Sequence, residues 1–203
     1  HQAEAGIKPV PDRALYGRLV GIPVDDQPAV NRLMILDGSY LSGPDSVLVD
    51  HHLANHYGIL VGDVVEVADA NGDWQALTVD GIVASAEYIW VAPSRQQLLA
   101  TPDEFGVLFV ADDVVVTLSG PGAVSHTLVT YATSADAPAL TDTLTSVALE
   151  LGASDVYDQL GQPSNSALQQ DVKGFGDLAF MFPMLFLTAA GLGAWVMLTR
   201  LVM

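Results

Sequence analysis

The residues best suited to metal chemistry in this sequence are two histidines in a short predicted helix. His52 and His56 are four positions apart, and that spacing places two imidazoles on one helix face, as in many zinc sites. Leu53 stands where the His-Glu-x-x-His pattern has glutamate, and no third ligand is visible in the sequence. The alternative is an exposed polar face opposite Leu53, Ala54 and Tyr57, which requires no metal. We therefore retain His52 and His56 as candidate ligands but expect no metal site.

A second cation-binding pattern lies in the acidic segment Asp69–Asp73 (DANGD), which resembles the first half of a calcium-binding loop. Such a loop requires glycine at position six and glutamate at position twelve, but Trp74 and Asp80 stand there. Asn71-Gly72 is instead typical of a tight β-hairpin turn. The segment therefore predicts a hairpin.

Motifs for catalysis and for nucleotide binding are absent from the sequence. It contains no Gly-x4-Gly-Lys-Ser/Thr, no Gly-x-Gly-x-x-Gly after a strand and no Gly-x-Ser-x-Gly elbow. Ser125 and His126 are adjacent, and neighbouring side chains of a strand point to opposite faces, which is unsuitable for a nucleophile–base pair. We expect a protein that is not an enzyme, with no catalytic residue and no cofactor in this chain.

The composition narrows the class of partner. In 203 residues, 24 Asp and Glu stand against 7 Lys and Arg, giving a net charge of −17, which excludes nucleic acid as the expected partner. The chain has no cysteine, so disulfides and thiol catalysis are excluded. Half of the residues are hydrophobic and only 15% are charged, as in a folded chain rather than a disordered one. Because it starts at His1, we expect a fragment or a processed product.

A long uncharged segment follows Asp177, the last acidic residue. From Leu178 to Thr199 no residue is charged, and a helix of that length covers about 33 Å, enough to cross the core of a bilayer. The alternative is a buried core helix. We predict a transmembrane helix at 178–199, with Arg200 at its cytoplasmic end by the positive-inside rule. This places the protein in the cell membrane, with residues 1–177 extracytoplasmic and the C-terminus cytoplasmic.

The sequence pattern around these residues predicts an α+β fold. Asp50 is expected to cap the short histidine-containing helix and Gly58 to end it, while residues 104–116 read as an apolar strand. Later, strands at 127–131 and 156–157 are expected to flank a helix capped by Asp136. The predicted divisions are a lead-in at 1–13, a β-rich extracytoplasmic subdomain at 14–118, a βαβ-like unit at 119–163, a juxtamembrane helix at 164–177 and the transmembrane helix at 178–199.

Several of these segments resemble the extracytoplasmic domain of MacB/FtsX-type ABC transporter permeases, the MacB-like periplasmic core domain. In Val47–Val67 (VLVDHHLANHYGILVGDVVEV) a strand and a short helix with a central Leu-Ala precede a Gly-Asp turn into a strand, as in that family. The segments 17–23 (GRLVGIP), 37–41 and 79–83 (VDGIV) fit the same domain. Phe175–Arg200 resembles the opening of the second membrane span, with Phe-Pro near the membrane and a final Arg. The resemblance covers roughly residues 14–200.

The resemblance implies a β-rich subdomain inserted into a porter-like subdomain, of which 119–160 is the returning half. It implies a permease subunit that couples ATP hydrolysis by a separate cytoplasmic ABC ATPase to export or extraction of a lipid-like or lipoprotein cargo. A second permease copy or homologue is the other implied partner. The family has no catalytic residues in this domain. Its first span, outgoing porter half and two last spans are not in this sequence, so the chain alone is not expected to transport.

The implied mechanism is mechanical and needs a stiff helix between membrane and domain. Gly174 and Gly176 weaken the helix just above the membrane, and Pro183 lies in the first turns of the span, so these three are the candidates for mechanical coupling. The alternative for the glycines is loose packing at the membrane surface. Two other functions stay open: an FtsX-like interaction protein that regulates a cell-wall hydrolase, and a single-span anchored module that binds a metal or ligand through His52 and His56.

Overall fold

The centre of the molecule is one β-sheet that closes on itself. The computed structural model describes residues 1–89, 91, 101–132 and 136–202. The strands of this part are β1 (Gln2–Val10), β2 (Arg13–Ile22), β3 (Met34–Gly38), β4 (Ser46–Asp50), β5 (Val64–Ala68), β6 (Trp74–Ala84) and β7 (Phe105–Ala111). Their spatial order is β3-β6-β4-β7-β2-β1-β5, and β5 pairs again with β6. Six strands therefore form a closed, barrel-like ring, and β3 extends from β6.

Four helices and two 3₁₀ turns accompany the sheet in the described residues. They are α1 (His51–Tyr57), α2 (Asp112–Ser119), α3 (Ala137–Glu150), α4 (Pro163–Val202) and the turns Ala86–Tyr88 and Gly120–Gly122. The predicted limits of α1 are confirmed: the Asp50 side chain accepts the backbone N–H of His52, and Gly58 ends the helix at a φ of 68°. Glycine is suited to this left-handed position because it has no Cβ.

The strands bury one face inside the ring and part of the other under loops. Buried side chains from all six ring strands meet in an inner cluster, which α1 and α2 complete; it includes Ile7, Leu19, Val49, Leu53, Val65, Val79, Leu108, Val110, Val115 and Leu118. An outer cluster covers the opposite face; it includes Val20, Leu33, Leu41, Leu48, Val83, Tyr88, Val107 and Phe109. Because β7 contributes to both clusters, every residue in it is buried, and its sequence is an unbroken apolar run.

The predicted lead-in at 1–13 is wrong, because these residues belong to the sheet. β1 pairs antiparallel with β2, from Gln2 opposite Val20 to Val10 opposite Arg13. Ala3 and Ile7 are buried in the inner cluster. The inward positions alternate as a strand requires, but two of them are alanines, so the hydrophobic signal in the sequence is weak. The β-rich body therefore begins at Gln2, not at residue 14.

The predicted strand at 104–116 is half right. β7 ends at Ala111 and the chain turns directly into α2. Asp112 and Asp113 occupy the first turn of that helix, where the helix dipole stabilises negative charge. Val115 and Leu118, three positions apart, then bury against the ring. Tertiary burial thus outweighs the β-propensity of the Val-Val-Val run.

The predicted βαβ-like unit at 119–163 forms only its helix in the described residues. The Asp136 side chain accepts the N–H of Ala139 at 3.4 Å, so the predicted cap of α3 is confirmed. Residues 127–131 and 156–157 are not strands, and the one ladder contact that the described residues after β7 make is an isolated bridge between Val124 and Gln2. A strand needs a neighbour for its N–H and C=O groups, and no described strand lies beside these segments. What is observed is a mixed α and β fold with a barrel-like sheet and an apolar C-terminal helix.

Candidate functional site

The helix α4 presents a long exposed apolar surface. It runs continuously for 40 residues, so the predicted juxtamembrane helix and the predicted span form one element. The most apolar stretch of 18 residues within Val172–Leu201 has a mean hydropathy of 1.8, and none of that stretch is buried. In the part of the chain that the structure describes, this is the one helix long and apolar enough to cross a membrane. The apolar helix is therefore confirmed, whereas the side of the membrane that each end faces stays a prediction.

The beginning of α4 lies against the barrel at the 3₁₀ turn that follows β6. Just before α4, the side-chain amide of Gln162 donates to the backbone carbonyl of Glu87 at 3.4 Å, and α4 itself contacts this turn. The neighbouring Tyr88 is buried in the outer cluster, with its ring edge-on to Phe109 of β7 at a centroid distance of 6.1 Å. A short path of contacts thus joins the apolar helix to β7.

The three residues predicted to act in mechanical coupling all lie inside α4. A Cβ built at Gly174 or Gly176 would meet no atom within 4 Å outside the local helix, so no close approach of a neighbour requires glycine there. Pro183 lies inside the helix, where it cannot donate a backbone hydrogen bond to the preceding turn. Their roles as hinge and kink stay predictions.

A cluster of possible metal ligands lies where β4 passes into α1. Asp50, His51 and His52 each offer a ligand atom, and these atoms lie within 4.8 Å of one another. Asp50 Oδ1 accepts the His52 backbone N–H at 3.0 Å and lies 2.9 Å from His52 Nδ1. Asp50 Oδ2 lies 3.7 Å from His51 Nδ1 and has no hydrogen-bond partner. The two imidazole rings are centred 3.8 Å apart.

Burial and charge differ across this cluster. The Asp50 side chain is 1% exposed, whereas those of His51 and His52 are 30% and 32% exposed. The hydrogen bond that the Asp50 carboxylate accepts from the His52 ring raises the pKa of His52, because the carboxylate stabilises the imidazolium, while partial burial of the ring opposes this effect. The arrangement is a buried carboxylate covered by two half-buried imidazoles.

His56 lies outside this cluster. Its ring packs edge-on against Tyr57 at a centroid distance of 4.7 Å. No third potential ligand joins His52 and His56 among the described residues. The spacing predicted that His52 and His56 would form a pair of ligands. The structure groups His52 with Asp50 and His51 instead.

Two features of these sites were missed in the sequence. The ligand search relied on helical i, i+4 spacing, but the available signal was Asp-His-His at a strand–helix junction, since an N-cap aspartate folds back over the first turn. The 3₁₀ turn that contacts α4 could have been predicted from Ser85, since serine often caps the start of a helix. Its hydroxyl accepts the Glu87 N–H at 3.2 Å. No pattern in the sequence connects that turn with Gln162.

The acidic segment 69–73 forms the predicted hairpin turn between β5 and β6. Asp69 Oδ1 accepts the N–H groups of Asn71 at 2.8 Å and Asp73 at 3.0 Å, and Gly72 has a φ of 89°. These backbone hydrogen bonds, first that of Asn71, lower the pKa of Asp69. Its carboxylate thus stabilises the turn.

Comparisons with known proteins leave the family undefined. No family model matches the chain, and no curated protein matches it. Among solved structures, it is similar to a domain of a protein assigned as a permease from Porphyromonas gingivalis. The two are 12% identical, with 74% of this chain and 69% of that chain covered and a TM-score of 0.39. A likeness at this level carries no functional conclusion for this chain.

Proposed function

We propose that this chain is the extracytoplasmic domain and one membrane helix of an ABC transporter permease subunit of the MacB/FtsX type. The observation that carries the proposal is α4, an exposed apolar helix of membrane-spanning length that starts against the barrel and continues without a break. A helix arranged in this way transmits a shift in the membrane directly to the attached domain. The sequence resemblance over residues 14–200 supports the same function.

In this proposal the chain works as a mechanical link. ATP hydrolysis in a separate cytoplasmic ABC ATPase moves the membrane helices, and α4 conveys that movement through the turn at Ala86–Tyr88 to the barrel. Transmission of this kind needs a linked element with two arrangements. Gly174 and Gly176 supply the flexible point and Pro183 a bend. The chain itself contributes no catalytic residue and no cofactor.

The segment that contains α3 is proposed to be the returning half of a porter-like subdomain. Three apolar side chains on α3, Leu140, Leu144 and Val147, are exposed at the spacing of one helix stripe. Such a stripe requires a partner, which in permeases of this type is supplied by the outgoing half of the subdomain. The proposed cargo is lipid-like or a lipoprotein, and a second permease copy or homologue completes the transporter.

The membrane arrangement is tested by single-cysteine labelling of the full chain in spheroplasts of an expressing bacterium. Since the chain has no cysteine, each introduced thiol is unique. Ser146→Cys on α3 is expected to react with a membrane-impermeant maleimide in intact spheroplasts. Leu201→Cys, at the end of α4, is expected to react only after permeabilisation. The buried control Val110→Cys is expected to react only after denaturation.

The opposite labelling pattern would overturn the proposed orientation, and release of the chain from membranes by carbonate would overturn the membrane insertion. The permease role is tested separately by purifying the full chain from its native membranes. We expect an ABC ATPase to copurify, with an ATPase rate that rises with lipid-like cargo. An ATPase that responds instead to a cell-wall hydrolase would indicate regulation of that enzyme rather than transport.

A further inference from the structure

We propose that Asp50, His51 and His52 form a binding site for one divalent transition-metal ion of the zinc type, with its remaining positions open to solvent or a ligand. The site lies on the barrel rather than on α4. It goes beyond the proposed permease function and does not depend on it.

The spacing of the ligand atoms fits such an ion. A tetrahedral zinc ion holds nitrogen and oxygen ligands at about 2.0–2.1 Å, which separates neighbouring ligands by about 3.3 Å. In the cluster, Asp50 Oδ1 lies 2.9 Å from His52 Nδ1, and Asp50 Oδ2 lies 3.7 Å from His51 Nδ1. Both separations are within about half an ångström of the separation that zinc requires. Rotation of the two partly exposed rings would bring the three ligand atoms, which lie within 4.8 Å of one another, around one ion.

The strongest indication of a ligand is the unpartnered oxygen of Asp50. The side chain is 1% exposed, and a buried carboxylate oxygen without a partner is costly. Its other oxygen, Oδ1, already caps α1, whereas Oδ2 has no hydrogen-bond partner and faces His51 Nδ1, which also has none. A cation bound between these two atoms satisfies both of them.

The surrounding structure holds the carboxylate in place. Asp50 ends β4, a strand with neighbours on both sides in the ring, and lies opposite Val83 of β6. Val49 before it and Leu53 after it are both buried in the inner cluster. The imidazoles are about one-third exposed, so an ion can enter from solvent. The sheet therefore holds the carboxylate in place, and the two imidazoles cover it.

The donor set determines the class of ion. Two imidazole nitrogens with one carboxylate oxygen suit Zn²⁺, Ni²⁺ or Cu²⁺, whereas Ca²⁺ and Mg²⁺ prefer oxygen ligands throughout. The net charge of −17 also attracts cations to the surface. Three protein ligands leave at least one coordination position free, as in zinc sites that bind water or a substrate group.

Isothermal titration of the untagged full chain in detergent micelles with zinc chloride tests the site. We expect one ion per chain, without competition from millimolar Mg²⁺. His51→Ala and His52→Ala should each weaken binding at least about tenfold. Asp50→Asn should do the same, since asparagine caps a helix as well as aspartate but lacks the charge. The matched control is His56→Ala, one turn along the same helix, which should bind as the wild type does.

Absence of zinc uptake by the wild type would overturn the site, as would unchanged uptake in His51→Ala. Loss of binding in His56→Ala but not in His51→Ala would assign the ion to the His52–His56 pair and equally overturn it. Circular dichroism of each variant checks the fold. Should Asp50→Asn prove unfolded, the two histidine variants still decide, because their side chains are about one-third exposed and lie outside the inner cluster. Failure of zinc binding would leave the labelling and copurification results for the permease unaffected.

Discussion

Shortening Leu53 to alanine tests how α1 is held on the barrel. The residue is 1% exposed and lies in the inner cluster. A Cβ built on Gly106 would lie 2.9 Å from Leu53 Cδ2 and 2.9 Å from Ile7 Cδ1. Leu53 and Ile7 therefore fill the space that the glycine of β7 leaves open, and this contact fixes the first turn of α1, where the Asp50 cluster lies.

The expected cost follows from burial and from the rigidity of the surroundings. Leu53→Ala removes three carbon atoms from a dry environment, worth about 2.4 kcal/mol of transfer free energy. A cavity term adds to this, because β7 is held by neighbours on both sides and cannot collapse into the gap. We expect the free energy of unfolding to fall by about 3–4 kcal/mol. The control Leu60→Ala, at a side chain that is 63% exposed, should change it by less than about 0.5 kcal/mol.

A methyl group at Gly106 should cost less stability once Leu53 has been shortened. Gly106→Ala alone is expected to cost about 1 kcal/mol or more, because its Cβ crowds Leu53 and Ile7. Combined with Leu53→Ala, the same methyl group enters the cavity, so the double variant should be more stable than the sum of the single effects by about 1 kcal/mol.

The assay is urea-dependent labelling of Val110→Cys, a buried position in β7, in the full chain in micelles. The labelling rate reports opening of the barrel, and the shift of its midpoint gives the change in unfolding free energy. A loss below about 1 kcal/mol for Leu53→Ala, or a double variant no better than the sum, would refute the packing described here.

Two further substitutions test the sheet. Gly81→Ala would place a Cβ 2.5 Å from the backbone carbonyl oxygen of Ser39, so the same assay should show a loss of about 2–3 kcal/mol; a neutral result would mean that β3 gives way freely. Burial raises the pKa of Glu4, but hydrogen bonds from Tyr16 at 2.7 Å and Arg18 at 2.9 Å outweigh it and hold this pKa below its ordinary value of 4.5. The stabilisation is therefore complete above pH 4.5 and is lost as the pH falls through the lower folded pKa. Because Glu4 is half exposed, Glu4→Gln should lose less than about 1 kcal/mol at neutral pH and nothing in acid; a loss independent of pH would contradict this reasoning.

Local signals in the sequence predicted the local structure correctly. Asp50 and Gly58 bound α1 as expected, and Asn71-Gly72 makes the hairpin between β5 and β6. In each case the residue type itself has a conformational preference, for a cap or for a positive φ. The uncharged segment after Asp177 predicted an apolar helix for a similar reason, because its length and composition alone define it.

The elements that depend on distant partners were predicted less well. β1 is stabilised by pairing with β2 and β5, and its alanines give no strong periodic signal. α2 is a helix because Val115 and Leu118 reach the inner cluster, which no local propensity reveals. The metal ligands were only partly predicted: His52 was found by spacing, but Asp50 and His51 join it through the geometry of the strand–helix junction.

The position of β7 in the ring has a consequence for how the polypeptide is made. β7 is the last of the described strands in sequence, yet it lies between β2, to which it is parallel, and β4, to which it is antiparallel. A nascent chain interrupted before Phe105 leaves both strands with open edges, which are sites for aggregation. Contacts between such distant segments also form slowly. The barrel can therefore fold only after residues 105–111 have been synthesised, and any earlier part of the chain needs protection until then.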